Sequence, residues 1–90
     1  MSFGVAFNDD TLASFRKLDI WLQEETLDDL EDLGQHPERL RPRLALSTSV
    51  YDLVRHRDNQ IHYVFLMIDR DDEAGVLRIL QLGHVVRPGE

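Results

Sequence analysis

The spacing of apolar residues changes once along this chain, from a three-to-four-residue repeat to alternation. That change dictates helices first and strands after. A short alternation opens it, with Phe3, Val5 and Phe7 interleaved among Ser2, Gly4, Ala6 and Asn8, the pattern of a strand. Asn8 then fits a helix N-cap, with Asp9 and Asp10 in the first turn where carboxylates suit the helix dipole. Leu12, Phe15 and Leu18 follow on one helical face. Asp19 reads as a second N-cap. Beyond it Ile20, Leu22, Leu27, Leu30 and Leu33, with Gln23 and Thr26, fall within about 160° of arc at ~100° per residue. Gly34 suits the position just past a helix end and Pro37 follows, so the second helix is expected to stop at Leu33. Residues 9–34 therefore read as a helical hairpin joined at Leu18-Asp19.

Residues 38–43 form a basic connector, and the period then becomes two. Segments 44–57, 61–69 and 76–86 are rich in Val, Ile, Leu, Tyr and Phe, with Asp58-Asn59 and residues 70–75 as the turns between them. The expected order is β-α-α-β-β-β, an α+β domain in which a helical hairpin covers one face of a small antiparallel sheet. The other face is left open to solvent or a ligand. Ninety residues make one domain, spanning 1–90, with one modest core.

Charge narrows the function. The net charge is −7, and all of it lies in residues 1–36; residues 37–90 balance eight acids with eight arginines. An acidic total disfavours sequence-independent nucleic-acid binding, which rests on neutralising phosphates, but leaves room for a local cationic patch. The chain has no cysteine, which excludes disulfides and thiolate chemistry. It has no apolar run long enough to span a bilayer and no signal-peptide pattern at its start, so a cytoplasmic location is expected.

Few motifs carry chemistry. The acidic run 69–75 would need Gly at its sixth position and Glu at its twelfth to be an EF-hand loop; Ala74 and Leu80 stand there instead. His36, His56, His62 and His84 show no metal-ligand spacing, and the five glycines are scattered rather than grouped in a phosphate loop. No metal or cofactor is expected. His84, at a strand end, is the best candidate for a catalytic histidine. Arg55 and Arg57 share one side of their strand and are expected to reach the open face with Tyr51 and Tyr63, where arginines beside aromatics suit phosphate and base. Arg39, Arg41 and Arg43 alternate in the connector. On helix two, Glu24, Glu25, Asp28, Asp29, Glu31 and Asp32 face away from the leucines. Their like-charge i, i+4 pairs are each unfavourable by ~0.2–0.5 kcal/mol. A solvated face explains them, and so does a surface for a cationic partner. In the second reading Trp21 is an exposed anchor, with Glu25, Asp28 and Asp32 as its charged surround.

With this order in hand, the chain resembles the RelE/ParE superfamily of small bacterial toxins over nearly its whole length. Residues 13–37 are similar to that family's helical hairpin, with its leucine-Asp joint, apolar helix and following Pro. Residues 51–66 are similar to its central hairpin, and 77–84, ending in Gly83-His84, to its last strand. The resemblance implies a toxin of a type II toxin–antitoxin system bound by a small antitoxin protein. RelE-type members cut messenger RNA on the ribosome without a metal, using basic groups and often a tyrosine. Carried over by position, those roles fall on Arg55, Arg57, Tyr63 and His84. Tyr63 and Val85 stand where such toxins carry arginines, so the usual ribonuclease set is depleted and weak or no cleavage is expected. ParE-type members act on DNA gyrase without that set, and HigB-like members share the style of the 58–65 hairpin. Three readings stay open: a partner-binding toxin, a metal-independent ribonuclease with displaced residues, and a homodimeric adaptor that keeps only the fold.

Overall fold

A computed structural model describes residues 2–40 and 48–89. The elements are β1 (Gly4–Phe7), α1 (Asp9–Arg16), α2 (Ile20–Gln35), β2 (Thr48–Arg57), β3 (Gln60–Asp71) and β4 (Val76–Pro88), with a 3-10 turn at Pro37–Arg39. The expected strand start at 44–47 and the connector arginines Arg41 and Arg43 lie outside the described residues.

The sheet order is β1-β4-β3-β2. β2, β3 and β4 form the expected antiparallel meander, but β1 joins the edge of β4 in parallel, so the sheet is mixed rather than antiparallel throughout. Strand direction accounts for this. The helical hairpin carries the chain back across the sheet, so β2 runs the same way as β1, and two reversals later β4 does too.

The β2–β3 connection is a two-residue turn in which both Asp58 (φ 54°) and Asn59 (φ 60°) are left-handed. That is the turn whose twist matches antiparallel strands, and Asp and Asn tolerate it. The acidic run after β3 closes a hairpin. The Asp71 carboxylate accepts from the Ala74 amide at 3.0 Å and from Arg78 at 3.1 Å, while Gly75 takes φ 66°.

α1 begins as the sequence predicts. Asn8 Oδ1 accepts from the Thr11 amide at 2.8 Å and Thr11 Oγ1 accepts from the Asn8 amide at 2.9 Å, a reciprocal cap. α2 departs in two ways. It does not stop at Leu33 but runs through Gly34 to Gln35. Gly34 serves close approach instead: a Cβ there would lie 2.4 Å from the Phe3 carbonyl oxygen, and the Phe3 amide donates to the Gly34 carbonyl at 2.7 Å. The apolar stripe is also narrower than expected. Leu22, Thr26, Leu30 and Leu33 are buried against the sheet, while Ile20 is 70% exposed and Leu27 lies at the rim. Spacings of four, four and three keep those four within a single ~80° arc, and Ile20 and Leu27 fall outside it. The core joins them to Phe15 and Leu18, and to Leu53, Val64, Leu66, Ile68, Leu77 and Ile79 of the sheet.

Candidate functional site

The pleat decides which side chains meet. On the face covered by the helices β2 presents Ser49, Tyr51, Leu53, Arg55 and Arg57, and β3 presents His62, Val64, Leu66 and Ile68. Val64 pairs with His84, which puts His84 on the same face. Tyr63 pairs with Val54 and Val85 on the opposite face. The expectation that Arg55 and Arg57 share the open face with Tyr51 and Tyr63 is therefore incorrect. Alternation places Tyr51, Arg55 and Arg57 under the helices and Tyr63 alone behind them. Of the four residues carried over from the resemblance, Arg55, Arg57 and His84 come together and Tyr63 does not.

The flank of α2 facing β2 explains the acidic helix. Trp21, Glu25 and Asp29 recur every four residues, and they meet Arg57, Arg55 and Tyr51 in turn. Arg55 bonds Asp29 at 2.9 Å and lies 3.6 Å from Glu25. The Tyr51 hydroxyl donates to Asp29 at 2.9 Å. Burial, and then this bond to a carboxylate, push the Tyr51 phenol up to about 12. Asp32 pairs with Arg39. Glu25 and Asp32 thus have cationic partners within the chain, which is not the free docking surface expected of them; Asp28 remains exposed. Trp21 is not an exposed anchor either. It is half-buried, with its ring at right angles to His62 at 5.0 Å and the Arg57 guanidinium over it at 4.8 Å. Its place on the first turn of α2 sets it over the part of the sheet that carries Arg57 and His62.

Sequence reasoning missed His62. It is 5% exposed, and its Nδ1 lies 3.1 Å from Nε2 of His84. The ring planes differ by 11° and the centroids are 5.3 Å apart. That separation is close to the nitrogen distance plus two ring radii, so the rings point at each other edge to edge rather than stacking. Burial, and then the neighbouring His62, hold His84 below its ordinary value, with Asp19 acting the other way. Its neutral form, able to accept a proton, is therefore favoured near pH 7. The only available signal was parity: His62 and His84 fall on diagonal positions of adjacent strands once the β3–β4 register is known. The end of the helix-covered face thus gathers two imidazoles, an indole and a guanidinium that is about half exposed.

The opposite face differs in kind. Val50, Val54, Phe65 and Val85 are each about 40% exposed there. Tyr63 lies alongside Phe65 at 6.3 Å with Arg87 over it at 5.8 Å. A shallow groove between this face and α1 is lined by Asp10, Thr11, Ser14, Val50, Phe65 and Met67 among others. Among the described residues no three His, Asp or Glu side chains are grouped as a metal site, and no helix is long and apolar enough to cross a membrane.

Comparison with known proteins identifies the fold. No protein-family description and no curated protein matches the sequence. Solved structures do. The chain is similar to E. coli toxin RelE in its free state, a variant with two arginines replaced by alanine (TM-score 0.73, 21% identity, 92% of this chain and 83% of that one). It is similar to a chain of the intact E. coli RelBE toxin–antitoxin complex (TM-score 0.72, 20% identity, 96% and 100%). It is also similar to a chain of a RelBE toxin–antitoxin complex from Mycobacterium tuberculosis (TM-score 0.62, 17% identity, 94% and 100%). The chain has the RelE fold, two helices on a four-stranded mixed sheet.

Proposed function

We propose that this chain is the toxin component of a bacterial toxin–antitoxin pair, bound by a small antitoxin protein. Its RelE fold supports the reading, and the observation that carries it is the open sheet face. Four apolar side chains on adjacent strands stand about 40% exposed there, a patch of the kind that marks a protein-binding surface. With Glu25, Asp32 and Trp21 engaged inside the chain, this face replaces the acidic helix as the partner surface.

The test is induced expression in bacteria, alone and with the product of the adjacent gene. Arrest of growth that the neighbour relieves is expected. A Phe65→Glu, Val54→Glu double variant should still arrest growth but escape the relief. Absence of arrest, or relief undisturbed by those substitutions, would overturn the reading.

The histidine pair favours a second reading, RNA cleavage by displaced residues. Cleavage of this type joins the 2′-oxygen to the adjacent phosphorus and expels the 5′-oxygen, which takes up a proton. It needs a proton acceptor, a proton donor and positive charge at the phosphate. His84 offers the acid–base group, Arg57 the charge and Trp21 a surface for a base. The expectation of weak cleavage rests on Tyr63 and Val85 standing in place of arginines, yet both lie on the opposite face from this cluster. Primer extension on a reporter message in a translation extract is the assay. Cuts that Arg57→Ala and His84→Ala abolish would support this reading, and a message left intact by the wild-type chain would refute it.

A further inference from the structure

We propose that His62 and His84 act as one proton-sharing unit, in which buried His62 is a positioning residue that fixes which nitrogen of His84 carries a proton. The use of the unit on a phosphodiester rests on the second reading above; the unit itself does not.

The in-line contact is the reason. Nδ1 of His62 and Nε2 of His84 are 3.1 Å apart with nearly coplanar rings, so one proton and only one fits between them. A neutral histidine carries a single ring proton. When His84 donates from Nε2 to a bare Nδ1 of His62, its own Nδ1 is bare and can accept a proton. When His62 donates instead, His84 Nδ1 already holds the ring's one proton and no lone pair faces solvent to take another. The position of the shared proton therefore decides whether neutral His84 can act as a base, and its acid form is the imidazolium that results.

Burial makes the pair asymmetric. His62 is 5% exposed, wedged edge-on against Trp21, whereas the His84 side chain opens to solvent from β4. A proton taken up at Nδ1 of His84 leaves the charge on the outer ring, and the Nε2–H bond to His62 strengthens because its donor is now cationic. A second proton would set two imidazolium rings against each other and break the contact. The charged groups around the pair are Asp19 at the start of α2, which favours the charged form, and Arg55 and Arg57 of β2 on the same face, which oppose it. Arg87, on β4 itself, lies on the other face.

Long-range nitrogen–proton spectra of the imidazoles across a pH titration test this directly. In the wild-type protein the two rings should each report both of two separated titration steps, as coupled groups do, and His84 should show one fixed tautomer above both steps, where the pair is neutral. His62→Asn places an amide near the Nδ1 position that can hydrogen-bond but not titrate. In that variant His84 should titrate in a single step displaced by about one pH unit or more. His84→Gln provides the reciprocal case, and a thermal melt of each confirms folding. Independent single-step titrations in the wild-type protein, each untouched by substituting the other ring, would overturn the proposal. The pH–rate profile of RNA cleavage adds a functional readout. His62→Asn should displace its acidic limb while cleavage survives, whereas a purely structural role would lower the rate and leave the profile in place. If the wild-type chain cuts no RNA, the second reading fails, while the titration still decides the fate of the pair.

Discussion

Substituting Gly34 by alanine sets two opposed effects against each other, and the structure predicts which wins. Helix propensity alone favours alanine over glycine by ~1 kcal/mol in a helix interior. Here the added Cβ would sit 2.4 Å from the Phe3 carbonyl oxygen, a backbone atom that cannot swing aside as a side-chain tip would. Either the segment entering β1 or the last turn of α2 must move. Displacement of that kind costs ~1–3 kcal/mol in a packed interior. It also endangers the bond from the Phe3 amide to the Gly34 carbonyl, worth ~0.5–1.5 kcal/mol. Taken together, Gly34→Ala should destabilise the fold by ~2 kcal/mol, which lowers the melting temperature of a domain this size by roughly 8–16 °C. Gly83→Ala is the control. It sits in a strand with nothing within 4 Å of the added carbon and should change stability little or raise it slightly. Thermal melts of the two variants followed by circular dichroism decide the matter. A Gly34→Ala protein as stable as the wild type, or more so, would show that propensity outweighs the close approach.

Asp29→Asn removes the carboxylate that accepts from Tyr51 and Arg55, and should cost about 1–2 kcal/mol in urea unfolding. The same variant should bring Tyr51 down from about 12 towards 10, visible as an earlier rise of phenolate absorbance in an alkaline titration. For His84 the folded protein holds the ring below its ordinary 6.5, so the unfolded chain binds the proton more readily. Its contribution to stability is therefore present above pH 6.5 and lost as pH falls through the lower folded value. Melting temperature should decline over that window, and His84→Asn should flatten the decline. Glu24, Asp28 and Glu31 remain exposed on α2, and at physiological ionic strength exposed charges are screened beyond ~8 Å. Melting temperature should accordingly rise from low to moderate NaCl, and Asp28→Lys should stabilise the protein at low salt.

Much of this molecule was set by local rules that a sequence displays. The Asn8 cap, the Asp58-Asn59 turn and the change from helical spacing to alternation each depend on residues within a few positions of one another. Such choices need no tertiary contact to be read. Placement across the sheet was not legible in the same way. Whether Arg55 meets the open face or the helices depends on the side of the pleat that the hairpin covers, a property of the whole sheet. Trp21, Glu25 and Asp29 read as surface until β2 is laid beside α2, because their partners lie more than twenty residues away. Gly34 carried a local meaning, helix termination, that a distant carbonyl overrode. The parallel seat of β1 follows from counting reversals, not from its four residues. The pairing of His62 with His84 required the β3–β4 register, which a one-residue slip would have destroyed by turning one ring to the opposite face. Periodicity thus fixed the elements and their order. The face each charged or aromatic side chain occupies was decided only when the strands were aligned and the helices laid over them.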